Sequence, residues 1–290
     1  MPSLAVLRQI ANELLTTERA QRFTEPDLVM ESAEQVAAYT RAGREDGVMA
    51  PVYLYNASHV LEIIKPGDKV LDLACGPATQ LALVARMAPE CSFTGVDLSR
   101  EMLARAQAHV EDQKLANVGF IHSSIAQLAS IEDQSIDAVM STMALHHLPE
   151  LATLEATFKE INRVLKPGGG IYLADFGHLK SERSIRYFAY QYADRQPEIF
   201  TVDYLNSLRA AFSLSDFRKA GEQIQGRAQV YSTFMVPYMV ALKSARRQAT
   251  TPELESRLRA VWQEMPSNHK RDFADLKTFF LLGGLRSKLI

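Results

Sequence analysis

A short apolar run, Val70-Leu71-Asp72-Leu73, stops abruptly in Ala74-Cys75-Gly76-Pro77, and a helical pattern takes over by Thr79. Strand, tight turn and helix in that order form the unit from which parallel sheets are built. The unit recurs downstream. Strands are expected over residues 69–73, 92–96, 117–122, 136–141 and 170–176, with helices over about 79–87, 99–113 and 151–164. Alternation of this kind predicts a parallel sheet covered on both faces. Residues 228–234 and 238–243 then predict two strands close in sequence, an antiparallel pair.

The ends read differently. Leu4, Leu7, Ile10 or Ala11, and Leu14 recur at helical spacing, and residues 31–44 and 53–64 continue the helical character. Helix is also expected over 202–220, 252–264 and 272–282, and a turn over Lys166-Pro167-Gly168-Gly169-Gly170. The organisation expected is a helical cap over residues 1–60 and a ligand-binding domain over 61–245 with an insertion near 178–200. A helical tail follows over 246–290. The tail is expected to dock on the domain or on a second copy, giving a homodimer through the terminal helices.

Charge narrows the partners. The 290 residues hold 32 basic and 34 acidic side chains, a net charge of −2. General nucleic-acid binding needs a basic face and is not expected. Two cysteines, Cys75 and Cys91, are too few for a disulfide scaffold. They suit a reducing, cytoplasmic compartment. Charges interrupt every apolar run long enough to span a bilayer, so no membrane segment is expected. Arg8, Glu13, Glu18 and Arg19 likewise break the first apolar pattern, which argues against a secretory leader.

The turn after the first strand carries small residues at Ala74, Gly76 and Ala78, so a ligand can lie against bare backbone there. Asp97 ends the second strand about twenty residues on, where a carboxylate can hold a ribose diol. A dinucleotide fingerprint wants three glycines; Ala74-Cys75-Gly76-Pro77-Ala78-Thr79 offers one. Pyrophosphate binding is therefore poorly supported. Four blocks stand in order: Val70 to Pro77, Gly95-Val96-Asp97-Leu98-Ser99 with Met102-Leu103 and Ala106, Asp137-Ala138-Val139 with Ala144-Leu145-His146-His147-Leu148, and Arg163-Val164-Leu165-Lys166-Pro167-Gly168-Gly169. Together they resemble the class I S-adenosylmethionine-dependent methyltransferases, the broad methyltransferase-domain type that includes ubiquinone and menaquinone biosynthesis enzymes. The resemblance covers about residues 69–176.

It implies an α/β fold: a Rossmann-like, seven-stranded, mostly parallel sheet with an antiparallel last strand and helical extensions at both ends. It implies S-adenosyl-L-methionine as cofactor, S-adenosyl-L-homocysteine as product, and no metal. Ala74, Cys75 and Gly76 would pass under the methionine half. Asp72 would hold its amino group and Asp97 the ribose hydroxyls. Leu98 and Met102 would pack by the adenine, with Ser124 and Ile125 along its edge. Ser124 stands where many relatives carry Asp, and Ala78 where the loop often has a third glycine. Asp72 and Asp97 each have a structural alternative as helix caps. Cys75 reads as a small apolar filler rather than a nucleophile.

On the acceptor side, His146 and His147 follow the fourth strand and Asp175 ends the fifth, at the carboxyl edge where open α/β sheets bind ligands. These three are the catalytic candidates; the alternative is that the histidine pair is structural and closes the loop over the cofactor. Within the insertion, Arg183, Arg186, Tyr187 and Tyr190 are candidates for a lid in which arginine holds a carboxylate or phosphate. Arg44, Tyr53 and Tyr55 are candidates in the cap. The function expected is methyl transfer to a small-molecule metabolite, at nitrogen or oxygen. The alternatives are a tRNA or protein methyltransferase and a non-catalytic cofactor-binding subunit.

Overall fold

The computed structural model describes residues 4–17, 19–25 and 47–289. The helix expected over 31–44, and Arg44 with it, lie outside these residues. Helix α1 (Leu4–Leu15) leads into an extended segment, and α2 (Ala50–Ile63) precedes the sheet. Then come β1 (Lys69–Leu73), α3 (Thr79–Met87), β2 (Ser92–Asp97), α4 (Arg100–Asp112), β3 (Val118–His122) and β4 (Ile136–Thr142). A single 3₁₀ turn, Leu145–His147, separates β4 from α5 (Leu151–Val164), and β5 (Leu165–Phe176) follows. The rest is α6 (Glu182–Tyr190), α7 (Glu198–Ala210), α8 (Leu214–Gly221), β6 (Ala228–Ser232), β7 (Met239–Ser244), α9 (Pro252–Glu264) and α10 (Ser267–Leu282).

The seven strands order as β3-β2-β1-β4-β5-β7-β6. Pairings from β3 through β5 are parallel, and β7 runs antiparallel to both β5 and β6. This is the sheet the sequence predicts. The central strands bury both faces, as parallel strands must. Leu71, Leu73, Val139 and Leu173 face one apolar core beside α5 and α8, while Val70, Met140 and Tyr172 face the other beneath α2 and α3. Each fully buried Leu contributes about 1.5–3 kcal/mol.

Two expected boundaries change. The turn over Lys166 to Gly170 is drawn into β5, with a shift of register opposite Ile136–Ala138. Gly170 is needed there, because a Cβ would lie 2.1 Å from the Ile63 carbonyl oxygen at the end of α2. The helix expected over 202–220 breaks at residues 211–213. Ser213 and Asp216 form a reciprocal capping box that starts α8 afresh.

The tail expected over 246–290 lies against α2. Phe280 of α10 stacks on Tyr55 at 5.3 Å between centroids. Beneath them Lys243 pairs with Glu62 and meets His59 Nδ1 at 2.8 Å, and Glu62 accepts the Lys288 N–H at 2.6 Å. Burial, then the Lys243 charge, pushes the His59 imidazole well below its ordinary range. Among the described residues, no helix is long and apolar enough to cross a membrane.

Candidate active site

Strand order reverses between β1 and β4, and there the carboxyl ends of the strands open into a cavity of about 370 Å³. Asp72, Ala74, Cys75, Gly76, Asp97, Leu98, Met102, Ser124 and Ile125 all line it. The loop between β1 and α3 is wound tightly. Ala74, Gly76 and Ala78 sit at φ 55°, 52° and 61°, in the left-handed region. Ala78 thus occupies a conformation that glycine adopts at less cost, about 1–3 kcal/mol for other residues. A Cβ on Gly76 would meet nothing within 4 Å, so glycine serves the turn and leaves its backbone bare.

Asp97 accepts the Gly76 N–H at 2.8 Å and the Ser99 N–H at 2.8 Å, fixing the loop to β2. Ser99, not Asp97, caps α4, by accepting from Met102 N. Helix α3 begins at Ala78 with no side-chain cap, so Asp72 does not serve as one. Burial, with the Asp97 charge behind it, raises the Asp72 carboxyl well above its usual range. Burial also raises Asp97, against the pull of the Ser99 and Gly76 N–H groups. The Cys75 thiol is pushed up by burial and then by both carboxylates, which suits a filler and not a nucleophile. Tyr53 lines the cavity too, and its carbonyl accepts Gln80 Nε2 at 3.2 Å. Gln80 Oε1 is buried without a partner beside the same cavity. Tyr55, by contrast, faces α10 and lies outside it.

The other half of the cavity is built by the loop after β4 and by α7, joined by Glu25 from the segment over residues 19–25. Arg22 fastens it. Its guanidinium donates to the carbonyls of Ala210 (2.7 Å), Pro149 (2.7 Å), Leu148 (2.6 Å) and His146 (3.3 Å) and lies 3.8 Å above the Phe212 ring. Three residues on, Glu25 reaches His147 Nδ1 at 2.5 Å and accepts Ser207 Oγ at 2.9 Å. Burial alone would raise the Glu25 carboxyl, but the His147 hydrogen bond and charge bring it down to about 2. Burial opposes protonation of His147, yet the Glu25 partner raises it overall. Asp203 of α7 faces the same cavity. Burial and the Glu25 charge push its carboxyl up to about 6.

The linkage has a definite sign. Glu25, depressed in the fold, contributes stability that is present above its ordinary value of 4.5 and lost as pH falls through about 2. His147, raised in the fold, contributes stability present below 6.5 and lost as pH rises through its higher folded value. Both contributions are therefore complete between 4.5 and 6.5. We expect the stability gap between the native protein and Glu25→Gln, from urea unfolding across a pH series, to be widest in that window and to narrow on both sides. A gap that stays flat with pH would show that the pair is not ionic.

The two adjacent histidines divide their roles. His147 faces the cavity, whereas His146 turns back onto Asp175, Nδ1 to Oδ1 at 2.6 Å. Asp175 is fully buried and also accepts the N–H groups of Ala144 (3.1 Å), His146 (3.0 Å) and Phe176 (2.6 Å). It lies outside the cavity lining, because its oxygens are spent on holding the β4 loop. His146 and Asp175, expected at the carboxyl-edge site, thus lie outside the cavity lining and hold each other beneath the β4 loop. The donor atoms of Glu25, His146 and His147 gather within 4.8 Å of one another, with each imidazole Nδ1 taken by a carboxylate.

The lid candidates are also relocated. Arg183, Arg186 and Tyr190 are exposed on α6 and Tyr187 is half-buried; none lines the cavity. The side chains that α6 turns inward are Ile185, Phe188 and Ala189. Sequence reading missed Glu25, Asp203, Gln80 and Thr153 as lining residues. A visible signal existed for the first: Arg22 and Glu25 lie close together in a stretch without helical or strand period, where charged side chains need tertiary partners.

Comparison with known proteins agrees with this geometry. Residues 70–169 match the family described as "Methyltransferase domain". The chain is 34% identical over 128 residues to the arsenite methyltransferase of Aquipseudomonas alcaligenes, covering 42% of this chain and 36% of that protein. It is 30% identical over 132 residues to the demethylmenaquinone methyltransferase of a Geobacillus species, covering 44% and 55%. The match thus spans between a third and just over half of these relatives' length. Among solved structures, the plantazolicin methyltransferase BpumL in complex with SAH superposes with a TM-score of 0.54 at 16% identity, over 91% of this chain and 92% of that one. A SAM-dependent methyltransferase from Aquifex aeolicus gives 0.50 at 19% identity, over 69% and 93%. These likenesses show a shared fold. With the matched domain, the relatives and the loop that bends bare backbone under Asp72 and Asp97, residues 70–169 form a methyltransferase domain of the class I S-adenosylmethionine-dependent type.

Proposed function

We propose that the protein moves a methyl group from S-adenosylmethionine to a small-molecule acceptor, at nitrogen or oxygen. The observation that carries this reading is one cavity with two halves: carboxylates over bare backbone at one end, and the Glu25–His147–Asp203 cluster at the other. The residues fit the cofactor. Asp97 has lone pairs left for a ribose diol after accepting two N–H groups. The orphaned Gln80 Oε1 suits an ammonium, and the uncapped start of α3 suits a carboxylate. Carboxylates at both ends suit a sulfonium. When bound, the cofactor supplies an electrophilic methyl, whose bond to sulfur breaks, leaving the pair there, as the acceptor's lone pair attacks.

The chain's own work is placement and proton removal. The Glu25–His147 pair walls the acceptor end, and Asp203 takes the proton that a hydroxyl or protonated amine must lose. A carboxyl near 6 is ionised at neutral pH yet basic enough to accept that proton. The named relatives act on arsenite, demethylmenaquinone and plantazolicin, so relatedness favours a small acceptor without choosing one.

The test is transfer of label from methyl-labelled S-adenosylmethionine into a fractionated cell extract, with Asp97→Ala alongside. Label in a low-mass compound is expected, and label confined to RNA or protein would overturn the small-acceptor reading. Asp97→Ala is expected to weaken S-adenosylhomocysteine binding by about 1–3 kcal/mol, read by calorimetry. Unchanged affinity would remove Asp97 from the ribose site.

A further inference from the structure

A second cavity, of about 150 Å³, abuts the first at Met143, whose side chain lines both. Met143 is held in the left-handed region at φ 56°, and its N–H donates to the Ala174 carbonyl at 2.8 Å. The junction is therefore set by backbone, not by a loose loop. The walls of this chamber are aromatic: Phe176 of β5, Phe188 of α6, Phe200 and Tyr204 of α7, Tyr238 before β7, and Phe279 of α10. They brace one another. Phe188 stacks on Tyr238 at 4.2 Å and Phe176 tilts against Tyr204 at 5.2 Å. Among the described lining residues there is no lysine or arginine. The charges are acidic: Asp272, paired with Arg195 at 3.0 Å, and Asp275. Gln196 lines the chamber with its Oε1 buried and unpartnered, a vacant acceptor for a ligand's N–H or O–H.

We infer that this chamber holds the body of the acceptor, whose reacting group reaches past Met143 to the Asp203 end of the first cavity, and that it selects an uncharged, ring-bearing apolar body with a hydroxyl or amino group for Gln196. The assignment to the acceptor rests on the methyl-transfer reading; the selectivity rests on the walls alone. Methyl transfer needs a second space bordering the cofactor's, and the chamber borders it at Met143. Apolar rings bury well against aromatic walls. Among the described residues a carboxylate or phosphate would find no counter-charge in the lining and would meet Asp272 and Asp275. The exposed Arg183 and Arg186 lie outside the lining and supply no such counter-charge.

Two probes separate these cases, 2-naphthol and 2-naphthoate, which share rings and differ in charge. Equilibrium dialysis against the full chain is expected to give at least roughly tenfold tighter binding of 2-naphthol. Val236→Trp, which fills the chamber, is expected to lose that binding while keeping S-adenosylhomocysteine affinity. Should that variant fail to fold, Leu276→Lys on the half-buried rim supplies the missing counter-charge and is expected to reverse the preference. Equal or tighter binding of 2-naphthoate by the native protein would overturn the inference. So would failure of 2-naphthol to bind, or 2-naphthol binding unmoved by either variant. Loss of S-adenosylhomocysteine binding in the native protein, with the naphthol preference intact, would instead strike the cofactor reading and leave the chamber's selectivity standing.

Discussion

Asp175→Ala is expected to destabilise the protein by about 3–5 kcal/mol, because it strands buried partners and not because it removes a reacting group. Asp175 is fully buried; it accepts three backbone N–H groups and holds His146 at 2.6 Å. Removing it leaves those donors without an acceptor in the interior. Urea unfolding would read the loss directly, and Asp175→Asn should recover only part of it, since an amide offers one oxygen. Turnover per folded molecule, measured well below the transition, should change little. A variant of native stability with greatly reduced turnover would return Asp175 to the acceptor's side.

Asp203→Asn is expected to behave in the opposite way. Folding should be nearly unaffected, since Asp203 is only half-buried and its carboxyl is already pushed up to about 6 by burial and by Glu25. Cofactor affinity should also hold. With a protonated acceptor, kcat should fall by roughly a hundredfold or more, the usual worth of a positioned base. The native protein's rate should climb as pH rises through about 6 and then level, and the variant's profile should lose that limb. Loss of the limb separates a base from a wall residue, which would alter KM without touching the pH dependence. An unchanged profile would leave Glu25–His147 to receive the proton.

Much of the cavity's β1–β2 end was legible in the sequence. A tight turn between strand and helix needs small residues, and a carboxylate at the next strand's end has few structural uses once Ser99 takes the cap. Periodicity also gave the parallel strands, because strands buried on both faces leave apolar runs of fixed length. The Glu25–His147–Asp203 end was not legible, for a geometric reason. Glu25 meets His147 across 122 residues, and Asp203 joins them from a helix that no strand pattern places. His146 and His147 are neighbours in a 3₁₀ turn, where successive side chains diverge by about a third of a turn. Composition cannot say which of them enters the cavity. The break at residues 211–213 could have been read, since Ser213 and Asp216 stand at capping-box spacing. The lid went astray because Tyr187 and Tyr190 look more like walls than Ile185 and Phe188 do, yet exposure depends on which face α6 sets against α7.

Arg22 carries a consequence for how the molecule is made. Its most distant partner, the Ala210 carbonyl, lies 188 residues further along the chain. During synthesis the strap leaves the ribosome early; its carbonyl partners at His146, Leu148 and Pro149 follow 124 to 127 residues later, and Ala210 comes last. At roughly 5–20 residues per second the wait is about 10–40 s. Over that interval the first strands can pair and shape the cofactor's floor, while the segment bearing Glu25 trails free. The β1–α3 turn with Asp72 and Asp97 is thus synthesised long before Glu25 can meet Ser207, and a chain stalled before α7 would lack the Asp203 end of the cavity.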